Sequence, residues 1–212
     1  MKIKLPVVCS FLIVLFHLVG LTGFLVPSTI SVFLKLVPFH LLLMVFLLIV
    51  SHRDKSNSFW FFVAVTYLLG VIVEMVGTNT GIIFGEYTYG STLGYKLSGT
   101  PLLIGVNWVI LIYSIGTMLS MLNKSRTVIK CLGGATIMVF LDILIEPVAI
   151  AFDYWTWTGG MIPLQNYVAW FVFSFVLFLL FYRMNFEKKN SAAIIMVLTQ
   201  TVFFIVLNIA VS

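Results

Sequence analysis

An all-α, polytopic transmembrane bundle of about seven spans is the fold class this sequence predicts, on three observations. The 212 residues are 61% hydrophobic and only 9% charged, and their mean hydropathy of +1.15 lies far above that of water-soluble domains. Apolar runs of about 20 residues, the length of helix that crosses a hydrocarbon core, recur along the whole chain. Ten of the twelve basic residues fall in alternate connections between those runs, which is the charge pattern of a multi-pass protein. One integral membrane domain over residues 1–212 follows, with no soluble module at either end.

The first span is expected over residues 5–25. Lys2 and Lys4 precede it as they would precede a signal peptide, but the run is long and has no small-x-small cleavage site, so it reads as an uncleaved helix. The second span, 30–50, ends at the polar break SHRDKSNS. The third covers 59–76. After it comes the one long connection, 77–100, with glycines at 77, 81, 85, 90, 94 and 99. That stretch lacks the lysine and the helix-opening GK[ST] of a phosphate cradle, so an outer lid or re-entrant hairpin is expected. The remaining spans are 101–122, 128–152, 166–183 and 191–211. Cys9 and Cys131 fall in or beside spans and suggest neither a disulfide nor a thiolate metal site. His17 and His40 lack metal-ligand spacing and read as packing or hydrogen-bonding residues.

Lys2, Lys4, Arg53, Lys55, Lys124, Arg126, Lys130, Arg183, Lys188 and Lys189 lie at the amino end and on the second, fourth and sixth connections, whereas Lys35 and Lys96 do not. The positive-inside rule then gives a cytoplasmic amino terminus and an outer carboxyl terminus, in the inner (cytoplasmic) membrane. The net charge of +5 is an orientation signal beside membrane lipids and not a nucleic-acid surface.

Residues 138–157, MVFLDILIEPVAIAFDYWTW, place Asp142 and Glu146 four residues apart on one helical face. A carboxylate in hydrocarbon is costly unless it is paired, protonated or facing a polar cavity. From the helical rise, Glu146 is expected about 8 Å, Asp142 about 14 Å, Asn107 about 9 Å and Glu74 about 3 Å below the outer ends of their spans, with Asn166 at such an end. Trp108, Trp155, Trp157, Trp170, Tyr87, Tyr89 and Tyr154 occupy similar levels. Five of the seven acids, Glu74, Glu86, Asp142, Glu146 and Asp153, belong to this outer half. Bland roles exist for the same residues: an interfacial belt for Trp155 and Trp157, and a kink at Pro147, which frees the carbonyl of Ile143.

Two carboxyls at this spacing repel each other, and desolvation adds to the repulsion, so one of them should stay protonated near neutral pH. A neutral buried acid donates a proton, aromatic faces stabilise a cation, and Tyr, Asn and Gln side chains hold a water. These are the parts for protonating a carbon–carbon double bond and capturing the cation, with no metal and no redox cofactor. Asp142 or Glu146 would protonate the alkene. Trp108, Trp155 or Tyr87 would stabilise the cation, and Glu74, Asn107 or Asn166 would hold the water. The expected catalytic set is Asp142, Glu146 and Glu74. The expected substrate-binding set is Trp108, Asn107, Tyr87, Tyr89, Glu86, Trp155, Trp157, Asn166 and Trp170.

The blocks VEMVGTNTGIIFGEYTYG, LG, PLLIGVNW, LDILIEPVAI, WTW and IPLQNYVAW, in that order over about residues 70–172, resemble the carotenoid biosynthesis family typified by the CruF carotenoid hydratases. The flanking spans agree only in hydrophobicity. The resemblance implies addition of water across the C1,C2 double bond of an acyclic ψ end group, as in γ-carotene or lycopene, giving a 1-hydroxy carotenoid; archaeal relatives act on bacterioruberin precursors. It also implies a substrate drawn from the bilayer, and other carotenoid-pathway enzymes as partners. A carotenoid cyclase or isomerase would use the same cation but exclude water. A proton-coupled carrier explains buried carboxylates too, with Pro147 and the 77–100 hairpin in its favour. A retinal pigment is excluded because span 191–211 has no lysine for a Schiff base. The aspartate-rich diphosphate motif of membrane prenyltransferases is likewise absent.

Overall fold

A computed structural model of the protein describes residues 4–122 and 125–211. Lys2 and Lys124, used above for orientation, lie outside the described residues. Among the described residues, seven helices run in order: α1 (Leu5–Leu25), α2 (Ile30–Ser51), α3 (Asn57–Thr80), α4 (Leu103–Ser120), α5 (Thr127–Ala151), α6 (Leu164–Arg183) and α7 (Ser191–Val211). All seven are long and apolar enough to cross a membrane. Four short strands among the described residues form two ribbons, β1 (Tyr87–Tyr89) with β4 (Trp155–Trp157) and β2 (Lys96–Leu97) with β3 (Thr100–Pro101).

Local chemistry sets the helix ends. Pro6 sits in the first turn of α1, where its missing N–H is no loss. Ser56 caps α3 by accepting from the Phe59 amide at 3.4 Å, and Asp54 accepts from the Ser56 amide at 3.0 Å. The far end of α3 differs from expectation. The helix continues four residues beyond Val76, because Thr78, Asn79 and Thr80 fold their side chains back onto the carbonyls of Glu74, Met75 and Val76 at 3.0, 2.7 and 2.6 Å. Gly81, with φ 67°, then ends it in the left-handed region. The polar run that reads as loop is helix, and Glu74 lies about 9 Å below the end of α3 instead of about 3 Å. Conversely, α4 starts at Leu103 because Thr100 and Pro101 pair with Leu97 and Lys96.

Helix α4 is the central element, buried at every position from Trp108 to Thr117 and packed against α2, α3, α5, α6 and α7. Such all-round burial needs apolar residues on every face, which α4 has. Helices α3 and α4 meet through glycines. A Cβ on Gly105 would lie 2.7 Å from the Tyr67 carbonyl, and one on Gly70 would lie 2.8 Å from the Trp108 ring. This close approach brings Trp108 beside α3, one turn from Glu74. At the opposite end of the bundle, Tyr113 bonds His52 Nδ1 at 2.9 Å, Asn190 donates to Tyr113 at 2.9 Å, and Phe59 stacks on His52 at 4.1 Å. Eight of the ten described basic residues (twelve less Lys2 and Lys124) gather at that end. Cys9 and Cys131 are buried free thiols.

Of the connection expected to form an outer lid or re-entrant hairpin, residues 87–89 pair into a ribbon that lies over Glu74 as a lid. Tyr87, Thr88 and Tyr89 pair antiparallel with Trp157, Thr156 and Trp155. Successive strand residues point to opposite faces, so all four aromatics turn inward and are buried, while Thr88 and Thr156 meet outside with their hydroxyls 3.1 Å apart.

Candidate active site

Helix α3 presents Glu74 and α5 presents Asp142 and Glu146, all beneath the β1–β4 ribbon. The ribbon divides its aromatics between two of these acids. From β1, Tyr87 and Tyr89 donate to Glu74 Oε2 at 2.6 and 2.7 Å, and Trp108 Nε1 donates to Oε1 at 3.0 Å. From β4, the indole N–H groups of Trp155 and Trp157 donate to Glu146 Oε2 at 2.9 and 2.8 Å. Burial and the neighbouring Glu74 push both tyrosine hydroxyls well above their usual pKa, so they are neutral donors. Trp155 and Trp157 are therefore carboxylate ligands, and the interfacial-belt reading does not apply to them.

Asp142 is bound differently. Asn166 Nδ2, from the first turn of α6, donates to Asp142 Oδ2 at 2.6 Å and reaches Glu146 Oε1 at 3.5 Å, so one amide spans both acids. Asp142 Oδ1 is buried and has no hydrogen-bond partner among the described residues. Among the three acids it is the carboxyl oxygen left bare in a side chain of 0% exposure.

Two cavities adjoin here. The smaller, about 20 Å³, is lined by all three acids together with Tyr87, Tyr89, Asn107, Trp155, Trp157, Asn166 and Trp170. The larger, about 320 Å³, is overwhelmingly apolar and runs between α1, α2, α4, α5 and α7. Ile104, Asn107, Ile145 and Trp155 line both. Phe16, Val19, Leu36 and Phe39 also line the larger cavity and are exposed on the outside of α1 and α2, so it opens between these helices onto an apolar surface.

The family-wide sequence profile of carotenoid biosynthesis proteins matches residues 31–212. The chain belongs to that family. It is 30% identical over 116 residues to the bisanhydrobacterioruberin hydratase of Haloarcula japonica, a match that takes in 51% of this chain and 40% of that protein. The chain thus spans about two fifths of the length of the curated relative it matches. No solved structure matches it.

Within this family member, ten of the twelve residues expected at the site line the small cavity. Two do not. Trp108 is fully buried behind Glu74, stacked on Trp170 with centroids 4.6 Å apart, so it supports the wall without forming it. Glu86 is exposed, because it stands immediately before Tyr87 of β1 and alternation turns it outward; its carbonyl accepts from the Thr158 amide at 2.9 Å. The sequence reading also missed that the lid pairs with the segment after α5. Aromatic-Thr-aromatic occurs in both YTY and WTW, and that shared period of two was the available signal. His17 and His40, read as packing or hydrogen-bonding residues, line the larger cavity, and His17 bonds the Ile13 carbonyl.

Proposed function

We propose that this family member is a carotenoid hydratase of the inner membrane, with its amino terminus cytoplasmic. On this reading it adds water across the C1,C2 double bond of a ψ end group such as those of lycopene and γ-carotene. One observation carries the proposal: a polar pocket with room for a single water, walled by three carboxyls, shares one side with an apolar cavity that opens between helices. A cyclase working through the same cation would be better served by a dry site.

The polyene enters between α1 and α2, and its end group reaches the shared wall at Ile104, Asn107, Ile145 and Trp155. Asp142 carries a proton on Oδ1. A bare carboxylate oxygen would be the worst-solvated group in the site, whereas a hydroxyl there is a donor facing the pocket. It passes its proton to C2, leaving a tertiary cation at C1. Glu74, ionised under its three donors, and the ring faces of the ribbon stabilise that cation. Water held by Asn107 then attacks C1 as Glu146 Oε1 removes a proton from it. The proton returns from Glu146 to Asp142, which the Asn166 amide holds alongside, so the pair resets without an outside acid.

Expression in a bacterium that makes lycopene and γ-carotene tests this. A more polar pigment, heavier by one water with its chromophore unchanged, is expected. Asp142→Asn should lower its formation by a factor of about 100 or more at equal protein level. A product of unchanged mass, or no product from inserted protein, would overturn the reading, as would full activity in both Asp142→Asn and Glu146→Gln.

A further inference from the structure

His17 on α1, His40 on α2 and Gln200 on α7 line the large cavity away from the acids. Measured from the helix ends on the lid side, they lie about 12, 15 and 16 Å deep, a common level in the bundle interior. None is used by the hydration chemistry. Buried polar groups are normally hydrogen-bonded, and a membrane interior makes exceptions costly. Gln200 is 7% exposed and its Oε1 has no partner among the described residues. His17 is 5% exposed, and its Nδ1 lies 2.8 Å from the Ile13 carbonyl. A carbonyl only accepts, so Nδ1 carries the hydrogen and Nε2 of the neutral ring is left as an acceptor. The two histidine rings meet edge to face with centroids 4.7 Å apart.

We propose that His17, His40 and Gln200 form a second polar subsite that binds a hydroxyl group on an otherwise hydrocarbon ligand. The cavity wall contains no charged residue, so the ligand group is neutral. A hydroxyl both donates and accepts, which suits this set: the His17 Nε2 and Gln200 Oε1 acceptors sit alongside the Gln200 amide and His40 ring as donors. The shared wall connects the subsite with the acid site, so one extended molecule fits both. That the molecule is a carotenoid rests on the function proposed above. The hydroxyl has two sources: it is already on the substrate at some distance from the reacting bond, or it is the one just installed at C1.

The test is binding to protein in lipid nanodiscs, read as quenching of tryptophan fluorescence, with lycopene and 1-hydroxylycopene as probes. Wild type should bind the hydroxylated probe about tenfold more tightly, and Gln200→Leu should abolish that preference while leaving lycopene affinity within about twofold. His40→Phe, at a half-buried position, should reduce the preference in the same direction and serves if Gln200→Leu does not fold. Equal affinities in wild type, or variants that weaken both probes equally, would overturn the proposal. Turnover separates the sources. For a newly installed hydroxyl, Gln200→Leu relieves inhibition by added 1-hydroxylycopene; for a substrate-borne one, it raises KM only for the hydroxylated substrate. Because affinity is read without turnover, a chain that hydrates nothing would sink the hydratase reading while this one still stands or falls on the affinity ratio.

Discussion

Replacing Tyr87 and Tyr89 by phenylalanine removes two hydroxyl groups and leaves the lid's ring packing in place, which isolates their bonds to Glu74. Both bonds end on Oε2, at 2.6 and 2.7 Å, in a side chain that is 3% exposed. Hydrogen bonds to a charged group contribute about 1.5–3 kcal/mol each, so a single replacement should destabilise by about that amount. The double replacement should cost more than twice a single one, because only then is Oε2 left with no donor while Trp108 still holds Oε1. A total above about 3–6 kcal/mol is a large fraction of an ordinary folding stability of about 5–15 kcal/mol. The assay is unfolding in lipid–detergent micelles followed by tryptophan fluorescence, for wild type, both single variants and the double variant, each with and without Glu74→Gln. In the Glu74→Gln background each tyrosine should contribute only the about 0.5–1.5 kcal/mol of a neutral bond. A double variant within about 0.5 kcal/mol of wild type would refute the argument. So would tyrosine effects that Glu74→Gln leaves unchanged.

Three further outcomes follow from other parts of the fold. Gly105→Ala should destabilise the α3–α4 contact by about 1–3 kcal/mol, since the new methyl meets the Tyr67 carbonyl at 2.7 Å and backbone cannot swing aside; the same unfolding assay reads it, and an unchanged midpoint would contradict the packing. Burial, with Lys55 nearby, pushes the pKa of His52 from the ordinary 6.5 down to about 4. Protonation therefore favours the unfolded chain. Stability should be full above pH 6.5 and fall as pH drops from 6.5 towards 4, and His52→Gln should show a shallower fall; equal slopes would remove His52 as the cause. A Thr88→Cys/Thr156→Cys disulfide across β1 and β4 should leave turnover intact if substrate passes between α1 and α2. Loss of turnover on oxidation, restored by reduction, would instead route substrate through the lid.

Much of this molecule was legible in its sequence because membrane helices obey strong rules. Length, hydropathy and basic residues marked six spans to within two residues at each end and the seventh at its start. The exception, the far end of α3, failed for a physical reason: Thr78, Asn79 and Thr80 look like loop residues, yet they satisfy themselves on the helix's own carbonyls. The meeting of Glu74, Asp142, Glu146, Asn107 and Asn166 followed from depth alone, since buried carboxyls in a small bundle have few polar neighbours to find. Depth is silent on direction, however. It put Glu86 and Trp108 at the right level, although strand alternation turns one outward and the Trp170 stack hides the other. The division of tyrosines to Glu74 and tryptophans to Glu146 depends on pairing segments 68 residues apart; the shared period of two in YTY and WTW marks both as strands but does not say which acid each meets.

In the proposed mechanism this site adds water to an alkene by protonating carbon. The most direct measurement of this is the origin of the atoms added to lycopene by purified protein in nanodiscs, in water labelled with heavy oxygen and, separately, in heavy water. The expected product carries one solvent-derived oxygen on C1 and one solvent-derived hydrogen on C2. An oxygen drawn from dissolved dioxygen, or a product that takes up solvent hydrogen but no oxygen, would contradict it.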